Sequence, residues 1–237
     1  GMLVFTARDL PSKGYKAYTV REKSASGASV EATATILSTS DRHLENAWFR
    51  IDFNAKGQFA SVFDKRANRE LLKPNQAGNV IMSYEDLPHN YDAWDINNYY
   101  TEKSWEIDAL GEMTLEETGP VRACMRITRP YLNSSITQRV YLYRDVPRID
   151  VHNDIDWKES HIFLKSILPF DIQTAEDTFD IQYGNVKRPT HANTSWDFAR
   201  FEVCVHKWLD LAEDGFGVSV LNDCKYGHRA KNGLVSL

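Results

Sequence analysis

Apolar and polar residues alternate with a period of two along much of the chain. The clearest runs are 135–143 and 149–157, where every second residue is apolar or aromatic. Such alternation is typical of a β-strand with one buried and one exposed face. Five shorter stretches rich in Val, Ile, Phe, Tyr and Trp are predicted as further strands: 48–53, 58–63, 122–128, 201–210 and 217–221.

Turn residues separate these strands. Gly57 offers a positive φ between two of them, and Pro147 fixes its own φ between two others. Near the end of the chain the pair Asn232 and Gly233 favours a tight hairpin turn. The strands and turns together predict an all-β fold in which antiparallel strands follow one another along the chain.

Segment 86–100 is the main interruption of the strand pattern. It contains Pro88 and is crowded with Asn, Asp, Tyr and Trp, which favour an irregular loop over a helix. Long ordered loops in compact domains tend to be functional. Elsewhere we find no 3.6-residue periodicity long enough for an amphipathic helix of three turns.

Composition limits the classes of function. The 237 residues carry 28 basic and 33 acidic side chains, a net charge of −5, so we expect no extended positive surface for nucleic acid. No stretch approaches the roughly 20 apolar residues of a membrane span. The three cysteines are odd in number and widely spaced, and no export signal is evident. We therefore predict a cytoplasmic protein without membrane or nucleic-acid partners.

The 91–100 segment brings acids, amides and flat aromatic rings together. Proteins bind sugars with this combination, because rings cover C–H faces and carboxylates or amides bind pairs of hydroxyl groups. The alternative is a loop held in place by Asx turns and buried rings. Composition alone gives this structural alternative a slight preference.

Three other clusters have a chemical and a structural interpretation. Segment 188–197 is dense in hydrogen-bonding side chains that either order a binding surface or satisfy a connection between strands. His206 and Trp208 would share one face near the end of the predicted strand 201–210, facing a ligand or serving the structure. Residues Asp150, His152, Asp154 and Asp156 also share a strand face, which suits a hard metal ion or a solvated acidic surface.

Many short motifs in a fixed order resemble one known family. They are 91–95 (Tyr-Asp-Ala-Trp-Asp), 156–157, 159, 161, 164–165, 188–191, 193–197, 199–203, 206, 208, 210–211, 215–218 and 221–227. In this order the chain resembles the C-terminal half of glycoside hydrolase family 38 α-mannosidases, above all their cytosolic and bacterial branch. The resemblance extends from about Leu10 to the last residue.

The resemblance implies a large antiparallel β-sandwich of the galactose mutarotase-like kind over residues 45–237. Residues 1–44 are then the end of a small β-domain and a linker. A strand has barely begun after Gly233 when the sequence stops at Leu237, so we expect the sandwich to be truncated at its C-terminus.

The resemblance also implies an activity for the intact enzyme. Members of the family hydrolyse terminal α-linked mannose with retention, using zinc, an Asp nucleophile and a second carboxylic acid in a preceding domain. We therefore expect no catalytic residue, metal or cofactor in this fragment, and no activity of the fragment alone. The similarity of His152-Asn153-Asp154 to part of the family's zinc motif is then a coincidence.

The same resemblance suggests partners and a role. The expected partners are the N-terminal catalytic domain of the same enzyme and mannose-containing glycans, and the isolated fragment is expected to be able to self-associate. Loops of the sandwich would pack on the catalytic domain and help to close the mannose pocket. The candidates for this pocket rim are Tyr91, Asp92, Trp94, Asp95, His206 and Trp208, for each of which a purely structural role stays open.

Two alternatives belong to other functional classes. The aromatic loop would also suit a stand-alone carbohydrate-binding module. A mutarotase-like sugar epimerase would need a His and a carboxylate held together, and His191 or His206 with Glu202 or Asp210 are nominal pairs.

Overall fold

The computed structural model describes residues 3–21, 37–92 and 94–237. Within these ranges the chain is built almost entirely of β-strands, which confirms the predicted all-β class. One α-helix, α1, spans Ser195–Ala199, and a 3-10 helix spans Asn98–Glu102. The strands are β1 (Ser38–Ser40), β2 (His43–Glu45), β3 (Phe49–Phe53), β4 (Phe59–Asp64), β5 (Arg69–Glu70), β6 (Val80–Glu85), β7 (Ser104–Glu106), β8 (Glu112–Thr118), β9 (Arg122–Tyr131), β10 (Ser134–Tyr143), β11 (Ile149–Asp156), β12 (Ile162–Pro169), β13 (Glu176–Ile181), β14 (Gly184–Pro189), β15 (Val203–Cys204), β16 (Trp208–Glu213), β17 (Phe216–Leu221), β18 (Gly227–Lys231) and β19 (Leu234–Ser236).

The strands form four antiparallel sheets. Three sheets contain strands that are close in sequence, in the orders β1-β2-β3-β4-β5, β11-β10-β9-β8 and β14-β13-β16-β17. The fourth has the order β15-β18-β19-β12-β6-β7 and therefore joins distant parts of the chain. Consecutive hairpins explain the first two sheets, because antiparallel neighbours need only a short turn between them. In the third, β13–β14 and β16–β17 are hairpins, and the pairing of β13 with β16 joins them.

The predicted turns have the expected backbone geometry. Gly57 has a φ of +68°, between β3 and β4. Asn232 and Gly233 have φ values of +49° and +76°, the two positive values that a tight type I′ hairpin between β18 and β19 requires.

One predicted strand is wrong. Segment 201–210 forms two strands in different sheets, since β15 pairs with β18 and β16 pairs with β13 and β17. The backbone N–H of His206 donates to the Asp180 carbonyl at 3.1 Å, and that of Lys207 donates to the Asp180 carboxylate at 3.0 Å. These bonds satisfy the backbone where the chain crosses from one sheet to the other.

Side chains from all four sheets meet in one hydrophobic core. Ile51 of β3, Met125 of β9, Leu209 of β16 and Val235 of β19 are each fully buried in it. Burial of side chains from sheets that are distant in sequence stabilises them as a single unit, because apolar area is removed from water at every contact.

A buried amide network connects the six-stranded sheet to the β8–β11 sheet. Gln138 of β10 donates to Asn79 Oδ1 at 3.1 Å and to Asn153 Oδ1 at 2.8 Å. Ser166 of β12 donates to the same oxygen of Asn79 at 3.1 Å. The network fixes the relative position of the two sheets, because a misplaced strand would leave buried amides without partners.

Residues 38–44 pack with the strands that follow them. β2 pairs with β3, and Leu44 is fully buried in the core. The division of the chain into 1–44 and 45–237 stays a prediction. Among the described residues, none belongs to a helix long and apolar enough to cross a membrane.

Candidate functional site

The loop between β6 and β7 presents a row of exposed aromatic side chains. Tyr91, Trp94 and Tyr99 are 75%, 88% and 56% exposed. The carbonyl of Tyr91, whose φ is +62°, accepts hydrogen bonds from the N–H groups of Trp94 at 2.9 Å and Asp95 at 3.2 Å. This turn holds the rings outward, although burial would otherwise favour large aromatic side chains in a core.

Hydrogen bonds at both ends close the base of this loop. The N–H of Glu85 donates to the carbonyl of Lys103 at 3.1 Å, and that of Asp86 donates to the carbonyl of His161 at 2.9 Å. Burial raises the pKa of Asp86, and the neighbouring carboxylate of Asp92 raises it further. The loop is therefore anchored to the residue that precedes β12 as well as to its own strands.

Tyr100 fixes the loop from its inner side. Its ring is only 4% exposed and packs edge-on against Tyr84 and Phe163, with centroid distances of 5.1 and 5.3 Å. Its hydroxyl donates a hydrogen bond to Glu202, in the segment between α1 and β15. Burial is the main reason why the pKa of Tyr100 lies above its usual value, and the Glu202 carboxylate adds to the effect.

The ammonium group of Lys165, on β12, also donates a hydrogen bond to the Glu202 carboxylate. The Lys165 and Glu202 side chains are 1% and 9% exposed, so this is a buried ion pair. Burial lowers the pKa of Lys165, and the Glu202 carboxylate opposes that shift. Removal of either partner would leave a buried charge, which is strongly destabilising. We call Tyr100, Lys165 and Glu202 the clamp.

His228, on β18, lies close enough to Lys165 of the clamp for the lysine charge to lower its pKa. It is fully buried, and neither ring nitrogen has a hydrogen-bond partner among the described residues. Burial is the main cause that lowers its pKa to about 4. His228 is therefore neutral at neutral pH.

His206 and Trp208 occupy a different neighbourhood from the aromatic loop. The His206 ring packs on Tyr226 with a centroid distance of 5.2 Å, and its carbonyl accepts a bond from Asn222 at 3.3 Å. Trp208 lies opposite Leu221 in the β16–β17 ladder. Both side chains are half-buried. They do not share one strand face as the sequence predicts, because the strand is broken between them.

The predicted rim residues therefore fall into two groups. Tyr91, Asp92, Trp94 and Asp95 are all exposed on the aromatic loop, and no hydrogen bond or ring contact between described residues links them to His206 or Trp208. Their role at a sugar pocket stays a prediction.

Part of the 188–197 cluster has a structural role. Thr194 caps α1, because its hydroxyl oxygen accepts a bond from the Asp197 N–H at 3.2 Å and donates to the Asp197 carboxylate at 2.8 Å. The short helix nevertheless exposes Trp196 and Phe198, which are 76% and 59% accessible.

The acidic face of β11 lies at the edge of its sheet. Asp150 pairs with Arg148 at 2.6 Å, and His152, Asp154 and Asp156 are exposed. Within the described ranges no three His, Cys, Asp or Glu side chains are grouped so that they could hold a metal ion.

The nominal epimerase pairs are not supported by the hydrogen bonding. Glu202 is bonded to Lys165 and Tyr100, and Asp210 accepts a bond from Ser219 at 2.5 Å. His191 lies 3.8 Å from Asp197 instead. Neither carboxylate is held by His191 or His206.

Sequence reasoning did not single out the clamp. Its one visible signal is Lys165, the only charged residue of the mostly apolar strand Ile162–Pro169. A buried lysine in such a strand needs a carboxylate partner, but the partner could not be deduced, because Glu202 is 37 residues away.

Sequence comparison places the chain among glycoside hydrolases. The model of the "Glycosyl hydrolases family 38 C-terminal domain" matches residues 44–237. Alpha-mannosidase 2C1 of Homo sapiens is 35% identical over 196 residues, and alpha-mannosidase G of Dictyostelium discoideum is 36% identical over 200 residues. Each alignment covers 82% of this chain but only 19% and 18% of the respective relative. The chain thus spans about a fifth of the length of these relatives.

Structural comparison agrees with the fold. The chain is similar to the crystal structure of an alpha-mannosidase from Enterococcus faecalis V583, with a TM-score of 0.70 and 13% sequence identity. The match covers 85% of this chain and 26% of that one. At this low identity the likeness concerns the fold alone. Together with the sequence match, it confirms the resemblance found in the sequence: the chain belongs to glycoside hydrolase family 38, within its C-terminal domain family.

Proposed function

We propose that this chain is part of a retaining, zinc-dependent α-mannosidase that removes terminal α-linked mannose. The observation that carries the proposal is the family match over residues 44–237, together with the small fraction of each relative that the chain spans. In this proposal the chain supports and caps an active site whose reacting groups lie elsewhere in the enzyme. We place the enzyme in the cytoplasm, on the basis of the three widely spaced cysteines of this chain.

The zinc ion that the family implies does not fit the residues described here. A structural or catalytic zinc site needs three or four closely grouped His, Cys, Asp or Glu ligands, and the described residues offer no such group. The described residues of this chain therefore supply no metal-dependent catalytic step of their own, and we propose that the chain alone is inactive.

The aromatic loop is the surface that we propose to face the catalytic domain and the mannose pocket. Tyr91 and Trp94 have solvent-exposed ring faces suited to the C–H face of a sugar, and Asp92 and Asp95 offer carboxylates for its hydroxyl groups. The clamp holds this loop in a defined position, as a pocket wall requires. His206 and Trp208 would contribute to the same rim only if the catalytic domain reached both surfaces.

The proposal is tested by activity measurements on an aryl α-mannoside. We expect no turnover by the 237-residue chain, with or without zinc, and turnover when the chain is joined to its upstream reading frame. In that longer enzyme Trp94→Ala should raise KM more than it lowers kcat, because the ring contributes sugar contacts in both ground and transition states. Tyr15→Ala, which removes another highly exposed ring, is the control and should leave both constants unchanged. Zinc-dependent turnover by the isolated chain would refute the inactive role.

A carbohydrate-binding module is a second candidate, supported by the same exposed rings. Calorimetry of the isolated chain with mannose and mannobiose separates the two. Saturable binding that Trp94→Ala abolishes would favour the module, whereas no response at millimolar sugar would leave the mannosidase proposal.

A further inference from the structure

Four cationic side chains line one small cleft between the β14-β13-β16-β17 sheet and the six-stranded sheet. Arg188 comes from β14, Arg200 follows α1, and Arg229 and Lys231 come from β18. The remainder of the lining is mostly apolar, with Phe179 at its inner side. Neither the family match nor the proposed function assigns this cleft a role.

These cations are only partly neutralised: the carboxylates of Asp197 and Asp177 lie near Lys231, and Arg229 lies near the Tyr100 hydroxyl. Arg200 is 3.7 Å from Asp197, whereas no carboxylate of the described residues is within ion-pair distance of Arg188 or Arg229. The guanidinium of Arg188 lies over the Phe179 ring at 4.6 Å and makes only a long bond of 3.4 Å to the Cys204 carbonyl.

Lys231 contributes positive charge to the cleft, but its ammonium group already donates hydrogen bonds to two carbonyls. Its ammonium donates to the carbonyls of Pro189 at 3.1 Å and His191 at 3.0 Å. Burial is the main cause that lowers the pKa of Lys231; the Asp197 carboxylate opposes this shift, and the positive charges of Arg229 and Arg200 add to it. The chain as a whole carries a net charge of −5, so this local excess of positive charge is opposite in sign to the rest of the molecule.

We propose that the mouth of this cleft binds a phosphate group, either inorganic phosphate or the phosphate ester of a sugar. Three guanidinium groups from three separate segments can each donate to a different oxygen of a tetrahedral dianion, and guanidinium groups suit this geometry. The cleft is narrow inside, so the anion binds at the solvent side, where the Arg200 side chain is 51% exposed. A bound dianion removes the repulsion between the surrounding cations.

The test uses the 237-residue chain at neutral pH. Calorimetric titration with sodium phosphate is compared with sodium chloride at equal ionic strength. We expect saturable binding of phosphate and none of chloride. Mannose 6-phosphate and mannose form a second pair of titrations. Tighter binding of the ester than of phosphate would assign the site to a sugar phosphate, and equal binding would assign it to the phosphate group itself.

Arg200→Gln and Arg229→Gln should each weaken phosphate binding about tenfold, since each removes one charge-assisted interaction. Arg50→Gln is a closely matched control, because Arg50 is 44% exposed and lies 3.6 Å from Asp52 on a different sheet. Circular dichroism verifies that each variant is folded. Equal heats for phosphate and chloride, or equal binding by Arg200→Gln, Arg229→Gln and Arg50→Gln, would overturn the proposal. Neither result depends on whether the enzyme is a mannosidase.

Discussion

Gly233 shows how one backbone position constrains the six-stranded sheet. Its φ is +76°, and a Cβ atom there would collide with the carbonyl oxygens of Phe170 and Ile172. Gly215 has nearly the same φ, +77°, but open space around it. Gly215 is therefore required only for its backbone conformation, whereas Gly233 is required both for its conformation and for the close approach of neighbouring backbone.

We expect Gly215→Ala to lower the free energy of unfolding by about 1 kcal/mol, the cost of a left-handed alanine. Gly233→Ala should lower it by more than about 3 kcal/mol, because the backbone of the β18–β19 turn must also move. Urea denaturation of both variants measures the difference. Equal losses would mean that the neighbouring carbonyls move aside without cost.

Asp177 is the second residue with a measurable consequence. It is 1% exposed, and neither carboxylate oxygen has a hydrogen-bond partner among the described residues. Burial, with a smaller contribution from Asp210, raises its pKa to about 7. The folded pKa is higher than the unfolded one, so the folded protein binds this proton more tightly. The stability contribution is fully present below about pH 4 and is lost as pH rises to about 7.

Above its pKa, ionisation of the buried Asp177 carboxyl group costs up to about 4 kcal/mol of folding stability. Asp177→Asn removes this cost. We expect the variant to gain stability over the parent between about pH 5 and about pH 8 in urea denaturation. Asp154→Asn on the exposed edge strand β11 controls for the loss of one negative charge. If the difference between parent and Asp177→Asn is the same at both pH values, the carboxyl group does not titrate in this range.

At the scale of elements, the clamp decides how firmly the aromatic loop is held. Lys165→Met should lower the free energy of unfolding by about 3 to 5 kcal/mol, because Glu202 is left as a buried charge. Lys103→Met is the matched control, since Lys103 forms an ion pair with Glu85 at the base of the same loop but is 60% exposed. Lys103→Met should lower the free energy of unfolding by less than about 1 kcal/mol. Glu202→Gln added to Lys165→Met should restore part of the stability, and equal losses in the two single variants would contradict a buried ion pair.

The strand pattern was predictable because it depends on local alternation. Strands β10 and β11 begin and end within a residue of the predicted runs, since apolar side chains there face one side of a sheet. The break within 201–210 was not predictable, because it depends on hydrogen bonds to Asp180, a residue in another strand. The clamp was not predictable for the same reason. Contacts between distant segments leave no periodic signal in sequence.

At the scale of the whole molecule, exposed aromatic groups are unevenly distributed. Tyr91, Trp94 and Tyr99 project from one loop, and Trp196 and Phe198 project from the short helix that precedes Glu202. Because the clamp joins Glu202 to Tyr100, the two segments are held to one another. Large exposed rings at neighbouring segments are typical of a surface that contacts another protein or a ligand, which supports the proposed packing on the catalytic domain.

The order of strands in the six-stranded sheet also has a consequence for biosynthesis. β12 pairs with β6 on one side, but its other neighbour is β19, which is translated only after β13 to β18. Until the ribosome has released residues 234–236, β12 has an open edge that can pair with another nascent chain. Slow translation or a pause after β18 should therefore lower the yield of native protein, although the final fold is unchanged.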